Sequence, residues 1–93
     1  MIAPLKQPVH NRTIKLLPQE KEGNYQFNGR FVATTNAVSK FGQAVIIAAY
    51  VTLQKQVQQK GGLDYLQVFE IDGERLWFID DISHVTALLP SDY

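Results

Sequence analysis

A histidine, two carboxylates and a hydroxyl stand within five positions in Asp80-Asp81-Ile82-Ser83-His84. An imidazole beside two carboxylates is the donor set that holds a metal ion or runs acid–base chemistry. The segment follows a strand-like run, however, where short acids and serine ordinarily cap a turn, so solvated loop capping is the simpler reading. Asp64 and Asp80 fall near the open end of one predicted hairpin, and paired acids can do hydrolytic work. They lack any supporting context. The chain has no glycine-rich phosphate loop, no His-Glu-x-x-His, no Gly-x-Ser-x-Gly and no histidines paired at ligand spacing. His10 reads as exposed. No catalytic residue, cofactor site or metal ligand is assigned, and the chain reads as something other than an enzyme.

Binding is the other chemistry these residues can do. Residues 1–60 carry eight basic and two acidic groups, whereas residues 61–93 carry one basic and seven acidic groups, so a net charge of zero hides a split. Either the halves interleave and cancel, or the molecule has a basic and an acidic face that could pair head to tail. Tyr25, Phe27 and Phe31 flank Arg30, and aromatics beside cations can stack bases. A nucleic-acid contact using Arg30, Lys40, Lys55 and Lys60 is therefore one reading. Against it stand a near-neutral pI of about 6.7 and the absence of a dense basic stripe.

The elements that must carry these groups come from periodicity. At 93 residues, 45% of them hydrophobic, the chain predicts a single domain, 1–93. Residues 1–11, with Pro4 and Pro8, read as a flexible arm. There is no cysteine to form a disulfide or thiolate site. No signal peptide or membrane-length apolar run is evident, and a cytoplasmic protein without membrane attachment is the expectation. Arg12–Leu17 reads as a short strand ended by Pro18. Tyr25–Thr34 reads as a hairpin around Asn28-Gly29, the pair favoured in a type I′ turn. Thr35 or Asn36 caps one long helix, about 36–60, that stops at Gly61-Gly62. Leu63–Ile82 forms a second hairpin around Asp72-Gly73, with Glu70 facing Arg75 and Val68 facing Trp77. The tail 83–93 is irregular or a short extra strand.

Both the helix and this hairpin have one apolar side too many. On the helix Val38, Val45, Ile46, Ala49, Tyr50, Leu53 and Val57 gather on one side, with Phe41 at the margin. Ala44, Ile47 and Val51, with Gln54 beyond them, make a second seam on the opposite side. On the hairpin Leu66, Val68, Trp77 and Ile79 share one face; Tyr65, Phe69, Ile71, Leu76 and Phe78 share the other. One helix covers one face of a sheet, so the second face needs the N-terminal strands folded over it or another chain. The expected fold is α+β, an antiparallel sheet of four to five strands against one long helix. The expected activity is self-association as a homodimer, or binding of another protein. The contact uses the helix back face, with Ala44, Ile47, Val51 and Gln54 at the interface, or the uncovered sheet face. The alternative is that the N-terminal arm folds back over the helix seam.

Asp64-Tyr65-Leu66-Gln67-Val68-Phe69, preceded by a helix and by Phe31, and followed by His84 and Tyr93, resembles a small uncharacterised family of Gram-positive bacteria and their phages. The resemblance covers residues 30–93. The family's Thr-Arg-Gly after its first strand is replaced here by Ala33-Thr34-Thr35, its Gln-Glu pair after the histidine is absent, and residues 1–29 have no counterpart. The family carries no established activity. It implies a small protein of bacterial or mobile-element origin, an accessory or inhibitory factor that binds another macromolecule.

Overall fold

The computed structural model describes residues 12–93; the N-terminal segment read as an arm lies outside them. The architecture is α+β. Five strands, β1 (Ile14–Leu16), β2 (Arg30–Ala33), β3 (Leu66–Ile71), β4 (Glu74–Asp80) and β5 (His84–Leu88), form one sheet in the order β1-β3-β4-β5-β2. Two helices, α1 (Thr35–Phe41) and α2 (Gln43–Lys60), are inserted between β2 and β3. A 3-10 turn over Pro90–Asp92 follows β5.

The β3–β4 hairpin has the expected register, with Glu70 opposite Arg75 and Val68 opposite Trp77. Asp72 and Gly73 both take positive φ, 53° and 86°, as a two-residue type I′ turn requires. The first expected hairpin does not form. Tyr25 makes only an isolated bridge to Leu63, and Asn28-Gly29 turns the chain without pairing its flanks. β2 instead runs parallel to β5, from Arg30 opposite His84 to Ala33 opposite Ala87. The sheet is therefore mixed rather than wholly antiparallel. The parallel pairing needs a long crossover, which α1 and α2 supply. The tail's alternative of an extra strand is realised as β5.

The single long helix divides at Gly42, whose φ of 83° and ψ of 154° lie outside helical space. Thr34, rather than Thr35 or Asn36, caps α1, its hydroxyl accepting the Ala37 N–H at 3.0 Å. Gly61 ends α2 in the left-handed conformation at φ 80°, its N–H donating to the Val57 carbonyl. The break turns Ala37 and Phe41 into the core while α2 keeps Val45, Ile46, Ala49, Leu53 and Val57 on its buried side.

Those residues pack on the inward positions of the sheet, Phe69, Ile71, Leu76, Phe78, Val85 and Ala87, all fully buried. An aromatic stack ties the layers together. The Phe31 ring lies on that of Tyr50 at 4.3 Å, and Phe78 meets Phe31 and Tyr50 at 6.1 Å each. Phe69 completes the group edge-on at 5.3 Å. Phe27 is also fully buried, and Phe31 is half-buried in the stack. Neither is presented for stacking on a base.

Candidate functional site

Asp80 is the last residue of β4 and is buried on the helix side of the sheet. One carboxylate oxygen accepts the Phe27 N–H at 2.8 Å and the other accepts the Ile82 N–H at 2.8 Å. Both donors belong to residues with positive φ, 51° at Phe27 and 83° at Ile82. The carboxylate therefore fastens the loop before β2 to the β4–β5 turn. Tyr50 adds a third tie, its hydroxyl donating to the Phe27 carbonyl at 2.9 Å. Burial pushes the Tyr50 phenol up from its ordinary value, and the negative charge of Asp80 pushes the same way.

Asp81 caps the adjoining turn. Its Oδ1 accepts the His84 N–H at 2.8 Å and the Ser83 hydroxyl at 3.2 Å. Ser83 Oγ also lies 3.0 Å from His84 Nδ1. The His84 backbone N–H, foremost, holds the Asp81 carboxyl below its ordinary range. A serine, a histidine and an aspartate are thus in contact, but Asp81 meets the backbone of His84 rather than its ring. That geometry orders a turn and does not orient an imidazole for proton transfer. Among the described residues no three His, Cys, Asp or Glu side chains are grouped so as to hold a metal ion. Asp64 and Asp80 do not act as a pair: the Asp80 carboxylate accepts the two backbone N–H groups, while Asp64 lends its backbone carbonyl oxygen to the Gln67 amide.

The charged halves interleave. Arg12 pairs with Asp72, Lys40 with Glu74 at 3.1 Å, and the sheet register sets Glu70 between Lys15 and Arg75. The four cations considered for nucleic acid are carried by three different elements. Arg30 opens β2, Lys40 is engaged by Glu74, and Lys55 and Lys60 lie on α2 roughly 140° apart around its axis.

The helix seam is present but small. Ile47 is 53% and Val51 45% exposed, Ala44 is exposed, and Gln54 turns partly inward with its amide 3.5 Å from the Phe27 carbonyl. A second apolar array lies on the outward face of the sheet. Cross-strand register aligns Val68 with Trp77 and, one row on, Leu66, Ile79, Thr86 and Val32. Val32 is exposed and the others half-buried. Tyr93 meets the Trp77 ring edge-on at 5.7 Å. A one-sided sheet ordinarily alternates apolar inside with polar outside. Here Gln67 and Asp80 are the inward, buried residues while their outward neighbours Leu66 and Ile79 are apolar.

Periodicity located that face but missed the stapling role of Asp80 and the burial of Gln67. A clue existed for both: each polar residue sits at an inward position of an alternating strand. No protein-family model, curated protein or solved structure matches the chain. Among the described residues no helix is long and apolar enough to cross a membrane.

Proposed function

We propose that the protein is a non-catalytic macromolecule-binding protein that acts as a homodimer through the outward face of its sheet. The observation that supports this is the placement of the N-terminal strands. β1 and β2 join opposite edges of the sheet instead of folding over it. Among the described residues the rows Val68–Trp77 and Leu66–Ile79–Thr86–Val32 are thus left without a second layer. Five strands about 4.8 Å apart make a face roughly 20 Å wide, and two facing copies would cover on the order of 1,000 Å² in all. That lies near the lower end for a specific interface and fits a dimer in exchange with monomer. The seam of Ala44, Ile47, Val51 and Gln54 is a separate surface, free to take a second partner. The resemblance adds a setting: a cytoplasmic accessory or inhibitory factor of a phage or other mobile element.

Light scattering at two concentrations tests the contact. The native chain should approach twice its 10.5 kDa mass at the higher concentration. Val68→Glu should remain folded and monomeric, whereas Ile47→Glu should still dimerise. Dissociation by Ile47→Glu alone would transfer the interface to the helix seam. A native monomer at both concentrations would end the homodimer reading.

A further inference from the structure

At the end of the sheet, a cavity of about 240 Å³ opens between the loop before β2 and the β4–β5 turn. It is lined by Asn24, Tyr25, Gln26, Asn28, Asp80 and Ile82. None of these is on the outward rows of the sheet, so occupation of the cavity is independent of the homodimer contact. Asp80 is buried, and its two oxygens accept one backbone N–H each. A carboxylate has about four lone-pair sites, so half of its accepting capacity is unused by these bonds. No lysine or arginine nitrogen forms an ion pair with it among the described residues. A buried carboxylate is ordinarily matched by a cation as well as by hydrogen bonds. The lining segments 24–28 and 80–82 contain no lysine or arginine to provide one.

The other walls suit the missing charge. Asn24, Gln26 and Asn28 bring side-chain amides whose carbonyl oxygens can accept from an ammonium or guanidinium. Tyr25, half-buried and tilted 59° against Tyr65 at 6.2 Å, supplies an aromatic ring of the kind that attracts a cation. Ile82 forms an apolar wall for an alkyl stem and is 73% exposed at a φ of 83°. A β-branched residue in that region is strained, and such strain persists only where the surrounding structure enforces it. Here the Asp80 carboxylate does so, through the Ile82 N–H. The walls are also held firmly: a Cβ on Gly29 would lie 2.9 Å from the Ser83 carbonyl oxygen, and one on Gly62 would lie 2.8 Å from the Asn24 Cα. The loops pack at glycine distance.

We propose that this cavity receives a lysine or arginine side chain presented by a partner polypeptide. The alkyl stem lies along Ile82, the charged head meets Asp80 and the three amides, and Tyr25 borders the cation.

The test uses the full chain, isotopically labelled, titrated with acetyl-Gly-Lys-Gly-amide and acetyl-Gly-Arg-Gly-amide. Acetyl-Gly-norleucyl-Gly-amide serves as the uncharged match and putrescine as the free amine. One or both cationic peptides should shift the side-chain amides of Asn24, Gln26 and Asn28 and the Ile82 N–H saturably. Norleucine should not, and putrescine should bind more weakly than the peptide. Tyr25→Leu, which keeps the apolar bulk, should lower the peptide affinity about threefold or more. Equal shifts with norleucine, or none with either cationic peptide, would overturn the proposal. Putrescine binding as tightly as the better cationic peptide would overturn the polypeptide partner, and unchanged affinity in Tyr25→Leu would remove the aromatic wall from it.

Discussion

The carboxylate of Asp80 holds the backbone of Phe27 across fifty-three positions of sequence, at 2.8 Å, with both residues buried. Phe27 is thereby kept at a φ of 51° that places its ring in the core. One side chain, with the Tyr50 hydroxyl as a further tie, thus fixes the backbone where the loop turns toward β2. Without it, the N–H groups of Phe27 and Ile82 lose their shared acceptor.

Asp80→Ala should therefore destabilise the fold by about 3–6 kcal/mol, since a hydrogen bond to a charged acceptor contributes roughly 1.5–3 kcal/mol and two are lost. Asp80→Asn keeps one carbonyl oxygen and should cost less, because only one of the two N–H groups loses an acceptor. Urea unfolding of the three proteins should rank them native, Asn, Ala. Equal stability of Ala and native would show that water replaces the carboxylate without penalty.

Acid should loosen the molecule at two remote closures. The Asp72 carboxyl is held below its ordinary range, chiefly by the Thr13 backbone N–H and then by Arg12. Asp92 is lowered by hydrogen bonds from Asn36, Thr34 and the Leu89 N–H. A carboxylate with a depressed folded pKa stabilises above its unfolded value, about 3.9, and that contribution is lost as pH falls through the folded value. Asp72 is exposed and Asp92 only half-buried, so the effect is modest. Unfolding midpoints measured from pH 6 downward should begin to fall near pH 4, and Asp72→Asn should flatten that decline. A wild-type and an Asn curve that remain parallel would show that Asp72 contributes nothing linked to its proton.

How much of the fold was legible depends on how local each cause is. The β3–β4 register could be read because Asp72-Gly73 demands one turn and the flanking alternation allows one facing. Asn28-Gly29 carries an equally strong local signal, yet it fails as a hairpin. The preceding residue is captured by Asp80, and β2 finds its partner in β5 only after both helices and the β3–β4 hairpin have intervened, which no local pattern encodes. The core face of α2 was legible through its 3.6-residue period. The break at Gly42 was not, because apolar residues stand at helical spacing on both sides and a lone glycine inside such a pattern ordinarily costs only about 1 kcal/mol. For the site, the apolar surplus on the outward sheet positions could be read directly. The cavity could not, since Tyr25 and Ile82 meet only through the fold.

Gly42 breaks the helix in a conformation that other residues resist. Its φ of 83° with ψ of 154° lies in a region that is nearly restricted to glycine, although a Cβ there would meet nothing within 4 Å. The penalty is therefore conformational rather than steric against neighbours. Gly42→Ala should destabilise by about 1–3 kcal/mol, or else convert α1 and α2 into one continuous helix and pull Phe41 from the core. Thermal unfolding with far-ultraviolet circular dichroism separates the two: lower stability at constant helicity for strain, raised helicity for fusion. An alanine variant matching the native protein in both would remove the backbone argument.

Ile82 provides the opposite sign. It sits at φ 83°, 73% exposed, so its side chain contributes little burial to offset the strain. Left-handed backbone costs an ordinary residue roughly 1–2 kcal/mol, while glycine adopts it freely but loses about 0.5–1 kcal/mol through unfolded-state entropy. The difference favours glycine. Ile82→Gly should leave the protein as stable as the native chain or more stable, by up to about 1 kcal/mol, which for a domain this small is a rise in Tm of about 4–8 °C. A clear fall in Tm would mean that the isoleucine packs against something that its exposure does not reveal. A rise, together with weaker binding of the lysine peptide, would show a residue kept at the surface at the expense of stability, as a binding wall requires.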